Sequence, residues 1–196
     1  MRRIPQQERA ERRMQDMLAA AGAVIAERGL DAATMTEIAT RAGTSIGAVY
    51  QYFPNKNALA IALRTEYGAH MDQRWSALAE QARTASTADL AARLIDLLTG
   101  FISEHPAYLS LFAASIPSSR SDDDRNRLRQ RFAELFAHRR QDLAAADALR
   151  IAEVLLQIVK SLAPLYMAAK PKERRLLVDE YKTVVTAYLI ARVGQV

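Results

Sequence analysis

No cysteine occurs in the 196 residues. Disulfide scaffolds, zinc ribbons, thiol nucleophiles and iron–sulfur clusters are thereby excluded. The three histidines, at positions 70, 105 and 138, stand more than thirty residues apart and make no metal-ligand spacing. Glycine and proline are scarce, with 7 and 6 residues, far from the polar, Pro-rich profile of a disordered chain. The longest apolar run, Met17 to Ala26, has ten residues and contains a glycine, whereas a membrane span needs about twenty. The opening Met1-Arg2-Arg3-Ile4-Pro5 leads into Gln-Gln-Glu-Arg and lacks the pattern of a signal peptide. A soluble, cytoplasmic protein with no metal and no cofactor is expected. The length suits one compact unit, or a small domain fused to a larger one.

What is present is half apolar and one quarter charged, with a net charge of +5. That balance leans toward an anionic partner, and its distribution says more than its total. Residues 1–14 hold Arg2, Arg3, Arg9, Arg12 and Arg13 against Glu8 and Glu11, a local +3. A second cluster over 120–140 sets seven arginines against Asp122, Asp123, Asp124 and Glu134, again +3, and reads as a solvated helix face. The three consecutive aspartates read as a carboxylate-rich helix N-terminus rather than a cation site.

Almost every segment reads as helix, and no stretch alternates with period two over strand length. Apolar residues at 14, 17, 18, 21 and 25 recur three and four apart, and that helix is expected to stop at Gly29. Thr34, with Glu37 three residues on, forms a capping box that opens a short helix ending at Ala42-Gly43. Ser45 caps the next, from Ile46 to about Phe53, and Pro54-Asn55 stops it. Longer helices are expected near 56–81, 87–104, 106–116, 121–142, 147–169 and 172–193. The shift in helix length at Asn55 predicts an all-α chain of two domains, 1–55 and 56–196.

Two helices carry more apolar surface than one core can use. In 147–169, Ile151, Val154, Leu155, Ile158, Val159, Leu162, Leu165, Tyr166 and Met167 spread over more than half the circumference. That is about twice the stripe of roughly 100° that a single core needs. The helix 172–193 likewise presents Leu177, Tyr181, Val184, Val185, Tyr188 and Ala191 on a wide face. Two adjacent helices of this kind predict a four-helix homodimer interface. Central burial in one subunit is the alternative.

The stretch TMTEIATRAGTSIGAVYQYFPNKNAL, residues 34–59, has the physics of a helix-turn-helix. Ile38 and Ala39 pack inward, Gly43 turns the chain, and Val49 and Phe53 form the inner stripe of the second helix. Ile46, Gly47, Ala48, Tyr50, Gln51 and Tyr52 are left on the outside. Small residues at the helix start allow close approach to a groove, and Tyr and Gln supply groups for phosphates and base edges. Lys56 adds charge at the start of the following helix.

These residues resemble the tetracycline-repressor (TetR) family of bacterial transcriptional regulators. The run T-M-x-x-I-A-x-x-A-G, then S-x-G-x-V-Y-x-Y-F-x-N-K-x-x-L, follows the family pattern almost position for position over about 45 residues. Thr44 departs from it, standing where the family usually has a hydrophobic residue. The resemblance implies an N-terminal DNA-binding domain followed by a larger effector-binding and dimerisation bundle. It also implies phosphate contacts from Thr34, Thr44, Tyr50, Tyr52 and Lys56. Thr36, Ser45, Ile46, Gly47, Ala48 and Gln51 would lie nearest the bases of a palindromic operator. The N-terminal arginine arm would reach an adjacent groove or phosphates. The implied function is repression, relieved by a small molecule in the C-terminal part.

Candidate effector-lining residues are Tyr67, Met71, Trp75, Phe101, His105, Tyr108, Phe112 and Tyr166, together with Phe132 and Met167. Aromatic residues at helical spacing are more often core than pocket. His105, next to Pro106, fits a capping role at the end of helix 87–104. Sparse buried charge favours a neutral or lipophilic effector, and basic residues near a pocket mouth would still accept an acyl thioester. No catalytic triad, phosphate loop or paired carboxylates argue for an enzyme. The remaining alternative is a helical cofactor-binding or protein-interaction module without specific DNA binding.

Overall fold

Apolar side chains three and four residues apart decide every element. The computed structural model describes residues 6–114 and 122–195, and these contain nine α-helices and no strand. Packing divides the chain into two compact units, at Gly68/Ala69 and again at Glu104/His105. The first holds α1 (Gln6–Ala32), α2 (Met35–Arg41), α3 (Ile46–Tyr52), the first half of α4 (Lys56–Gln81) and α6 (Tyr108–Ala113). The second holds the rest of α4, α5 (Thr87–Glu104), α7 (Asp122–Arg139), α8 (Ala145–Ala168) and α9 (Pro171–Val193).

The first unit closes over Met17, Leu18, Ala21 and Ile25 of α1, the apolar stripe read from the sequence. Gly29 leaves the helical region (φ 78°, ψ 163°), and one further turn runs on to Ala32. Compaction here extends past Asn55. Leu59, Ala60 and Leu63 of α4 are fully buried, and the Tyr67 hydroxyl lies against Gly22 of α1. The change in helix length at Asn55 thus precedes the limit of the unit, because side-chain burial and not helix length sets that limit.

In the second unit α5 packs against α9 and α8, α8 against α9, and α7 against α8. Leu90, Leu94, Ile95, Leu98 and Phe101 of α5 are buried in its interior, as are Leu155, Val159, Val185 and Leu189. Hydrogen bonds across long stretches of chain close it. The Thr87 hydroxyl donates to the Gly194 carbonyl (2.9 Å), and Arg140 donates to the Arg192 carbonyl (3.0 Å). Arg139 donates to the carbonyls of Ala82 and Ala85, completing the turn after α4.

Further helix ends differ from expectation. α6 starts at Tyr108 because the His105 carbonyl first accepts the Tyr108 amide (2.8 Å) in a turn after Pro106. α7 ends at Arg139, where Arg140 turns aside to pair with Asp142 (3.1 Å). α8 continues through Pro164, which sits on its exposed side.

Among the described residues α8 alone is long and apolar enough to cross a membrane, with a mean hydropathy of 1.4, yet only 39% of that stretch is buried. Val154 and Leu165 on α8 and Leu176 and Val184 on α9 remain exposed, at 40%, 49%, 54% and 48%. Exposed apolar side chains therefore remain on both helices outside the faces that fill the core.

Candidate nucleic-acid interface

Local chemistry builds α2 and α3. The Thr34 hydroxyl accepts the Glu37 amide (3.2 Å) and donates to the Glu37 carboxylate (2.9 Å), which also accepts the Thr34 amide (3.2 Å). This is a closed capping box. After Ala42 the chain reverses. Gly43 sits at φ 62° and its amide bonds the Thr40 carbonyl, while the Thr44 amide bonds the Ala39 carbonyl. That pair is a Schellman motif, which needs the left-handed conformation that glycine adopts at no steric cost. The Ser45 hydroxyl accepts the Ala48 amide (3.1 Å) and starts α3, and the Asn55 side chain accepts the Ala58 amide (2.8 Å) and starts α4.

α3 then divides cleanly. Val49 is fully buried and Phe53 nearly so, while Ile46 (40% exposed), Gly47, Tyr50 (49%) and Gln51 face outward. Ala48 and Tyr52 are half-buried, with the Tyr52 ring 6.4 Å from that of Phe53. Thr36 is exposed on α2 beside Thr40, whose hydroxyl donates to the Thr36 carbonyl (2.9 Å). Thr44 is half-buried in the turn. Of the residues expected at a nucleic acid, the outward set of α3 and Thr36 therefore stand free. Thr34 and Ser45 are engaged as caps. Arg2 and Arg3 lie outside the described residues.

Lys56 is placed unexpectedly, since its Nζ donates to the Asp31 carbonyl at 2.7 Å. Two ion pairs beside it also tie α1 to α2. Glu27 takes Arg41 through both carboxylate oxygens (2.6 and 2.9 Å), and Arg28 pairs with Glu37 at 3.1 Å. The Arg41 guanidinium holds the Glu27 carboxyl below its ordinary range, and Glu27 in turn raises Arg41. These side chains line a cleft of about 320 Å³ together with Val24, Thr36 and Thr40. The pairs span nine and fourteen residues, a separation that no helical periodicity flags.

The effector candidates do not gather in one unit. Tyr67, His105 and Tyr108 belong to the first, where the rings of Tyr67 and His105 stand 4.6 Å apart. Burial pushes the Tyr67 phenol above its ordinary value, aided by the nearby Glu66. Met71, Trp75 and Phe101 belong to the second unit and are buried in its core, where Trp75 meets Phe132 edge-on at 6.0 Å. Arg74 lies over the Phe101 ring at 5.1 Å and pairs with Glu104. Tyr166 sits under Arg174 at the α8–α9 turn (5.1 Å), and neighbouring Met167 is exposed. The side chain of Phe112 lies outside the described residues. A polar groove of about 160 Å³ between α4 and α7 is lined by Asp72, Gln73, Ser76, Arg127, Leu128 and Arg131, none of them expected from the sequence.

Comparison with known proteins agrees with this geometry. Residues 17–63 match the family described as bacterial regulatory proteins, tetR family, and residues 86–189 match the tetracyclin repressor-like, C-terminal domain. A 58-residue segment is 45% identical to YvdT, an uncharacterised helix-turn-helix transcriptional regulator of Bacillus subtilis, and spans 30% of that protein. The fold is similar to a TetR-family regulator from Streptomyces coelicolor, with TM-score 0.66 and 23% identity over 92% of this chain and 99% of that one. It is also similar to one from Pectobacterium atrosepticum, with TM-score 0.69 and 18% identity over 97% and 98%. A third is the Bacillus subtilis regulator FadR in complex with stearoyl-CoA, with TM-score 0.62 and 17% identity over 92% and 98%. Members of this family are DNA-binding transcription factors and not enzymes. With a capped helix-turn-helix in its first unit and a matching helical domain behind it, the chain belongs to the TetR family of bacterial transcriptional regulators.

Proposed function

We propose that the protein is a cytoplasmic repressor that binds a palindromic operator as a homodimer and leaves it when a small molecule occupies the C-terminal domain. The outward face of α3 carries the reading. Ile46, Gly47, Tyr50 and Gln51 stand exposed on a helix fixed at its start by Ser45 and at its base by Val49 and Phe53. Ile46 offers an apolar contact for a thymine methyl, Gln51 offers a donor–acceptor pair for adenine, and Tyr50 and Tyr52 offer hydroxyls for phosphate. Gly47 and Ala48 keep the helix start slim enough to enter a major groove.

The exposed side chains of Val154, Leu165, Leu176 and Val184 support the dimer. Solvent-facing apolar residues on two helices that pack together mark an association surface. A two-fold dimer presents two copies of α3, and two-fold related half-sites answer them. Release requires an effector that favours the state unable to bind DNA. The Bacillus subtilis regulator in complex with stearoyl-CoA makes a long-chain acyl-CoA the first probe of a lipophilic effector.

The test is selection of bound sequences from a random duplex pool at two salt concentrations, followed by release assays on the recovered duplex. A palindrome whose affinity falls steeply with salt supports the reading. Recovery of nothing above background from ligand-stripped protein favours a helical module without specific DNA binding.

A further inference from the structure

Within the second unit α4 and α7 run side by side in the same direction. Residues 72–76 of α4 face 127–131 of α7 across a cavity of about 160 Å³, and residues 79–83 face 131–138 across a second of about 100 Å³. Arg131 lines both. Among the described residues these two helices meet mainly through side chains, with far less backbone packing than joins α7 to α8 or α5 to α9. Trp75 and Phe132 bridge them edge-on at 6.0 Å, and Arg139 pins the far end by donating to the Ala82 and Ala85 carbonyls. Met71 and Leu78 are buried one turn either side of Trp75, as are Leu128 and Leu135 either side of Phe132. The seam thus has an apolar floor and a polar rim.

The charges of the rim divide unequally. The second cavity sets Arg83, Arg131 and His138 against Glu80 and Glu134, and Arg83 pairs with Glu80 at 4.0 Å. The first sets Arg127 and Arg131 against Asp72 alone, and both Asp72 and Arg127 are engaged already. Arg131 is exposed, and among the described residues no ion pair holds it. Its planar fork of donors suits a carboxylate or a phosphate, and the exposed Gln73 amide stands on the facing wall. The first cavity has room for a head group and not for a long chain, so an apolar tail must part the Trp75 and Phe132 rings. A wholly polar solute would gain nothing from that floor, and a neutral lipid nothing from the rim. An amphiphile with an anionic head gains from both.

We propose that the α4–α7 seam is the entry to an effector site for an anionic amphiphile, with the Arg131 guanidinium taking the head and the tail entering between Trp75 and Phe132. The proposal rests on small-molecule control as read above, and gives the effector its chemical class.

Trp75 is the single tryptophan of the chain, so its emission reports occupancy of the seam. The full chain, stripped of ligand, is titrated with hexadecanoate, hexadecanoyl-CoA and hexadecyltrimethylammonium, each below its micelle concentration. Wild type, Arg131→Gln and Arg83→Gln are compared. At least one of the two anionic probes should change the Trp75 emission saturably, and the tighter of them tells a free acid from a thioester. Arg131→Gln should weaken that binding about tenfold, the equivalent of one charge-assisted hydrogen bond. Arg83→Gln should bind as wild type does, and the cationic probe should leave the emission unchanged. Wild-type affinity in Arg131→Gln overturns the proposal, as does an equal response to the cationic probe or no saturable response to either anion. The same probes are then added to the protein on the duplex recovered by selection. Binding at the seam without release of the duplex upholds the site and overturns its role as the trigger, while failure to recover any duplex overturns operator binding and leaves the Trp75 titrations standing.

Discussion

The hydroxyl of Tyr67 rests against Gly22, so close that a Cβ on residue 22 would stand 2.6 Å from the phenolic oxygen. Glycine is required there by proximity, since Gly22 lies inside a regular stretch of α1. The contact fixes how nearly α1 and α4 approach. Gly22→Ala should lower stability by about 1–3 kcal/mol, the usual cost of overpacking. Tyr67→Phe in the same chain should recover part of the loss, and urea unfolding of the two single variants and the double variant measures the coupling.

Burial of Tyr67 also sets an alkaline limit. Its phenol titrates above the ordinary value in the folded state, so its contribution is intact below about pH 10 and is lost as pH rises through the raised folded pKa. Wild type should lose stability in that range faster than Tyr67→Phe does. Denaturation midpoints between pH 9 and 11.5 (about the usable range) would show it, and parallel curves would refute it.

At acid pH the relevant pair is Glu27 and Arg41. The folded carboxyl lies below its ordinary value of 4.5, so its stabilisation is present above that value and disappears as pH falls through the depressed one. Glu27→Gln should therefore differ from wild type at neutral pH and converge with it in acid. The same scan separates this pair from the capping box, where Thr34→Ala should cost about 1 kcal/mol at neutral pH.

Removal of α9 would be a poor test of the dimer, because Val185, Leu189 and Val193 fill the core and their loss would unfold the unit. Val184→Glu and Leu165→Glu instead place charge at exposed apolar positions. Sedimentation velocity should show monomers for both, with helicity retained. A variant that remained dimeric would remove its position from the interface.

On the recognition helix, Gln51→Ala should weaken the selected duplex by about 1–3 kcal/mol at one base position per half-site, with little effect on a scrambled duplex. A uniform loss across sequences would make Gln51 a phosphate ligand.

Legibility followed the range of the interactions. The caps of α2 and α3, the turn at Gly43 and the inward pair Val49 and Phe53 are set by neighbours within five residues, and spacing alone revealed them. Lys56 could not be read that way, since its partner is a backbone carbonyl 25 residues earlier that no side-chain pattern marks. The effector candidates were harder still. Trp75, Phe101 and Phe132 have the spacing and chemistry of both core and pocket, and only their burial shows that they pack the second unit. The limit of compact packing is also set at longer range than helix length: length changes at Asn55, while burial carries on into α4 as far as Tyr67.

The bond from Thr87 to the Gly194 carbonyl joins the first turn of α5 to the residue after α9, 107 positions later. During synthesis α5 leaves the ribosome long before the helix that covers it. Leu90, Leu94 and Leu98 must wait for Val185 and Leu189 while more than eighty intervening residues are added. At translation rates of about 5–20 residues per second that interval lasts roughly 4–17 seconds. A messenger cut short between α5 and α9 would yield a chain that carries the locally bonded α2 and α3 but whose second unit lacks the helix that covers Leu90, Leu94 and Leu98. The second unit is therefore completed only by the last helix to be made.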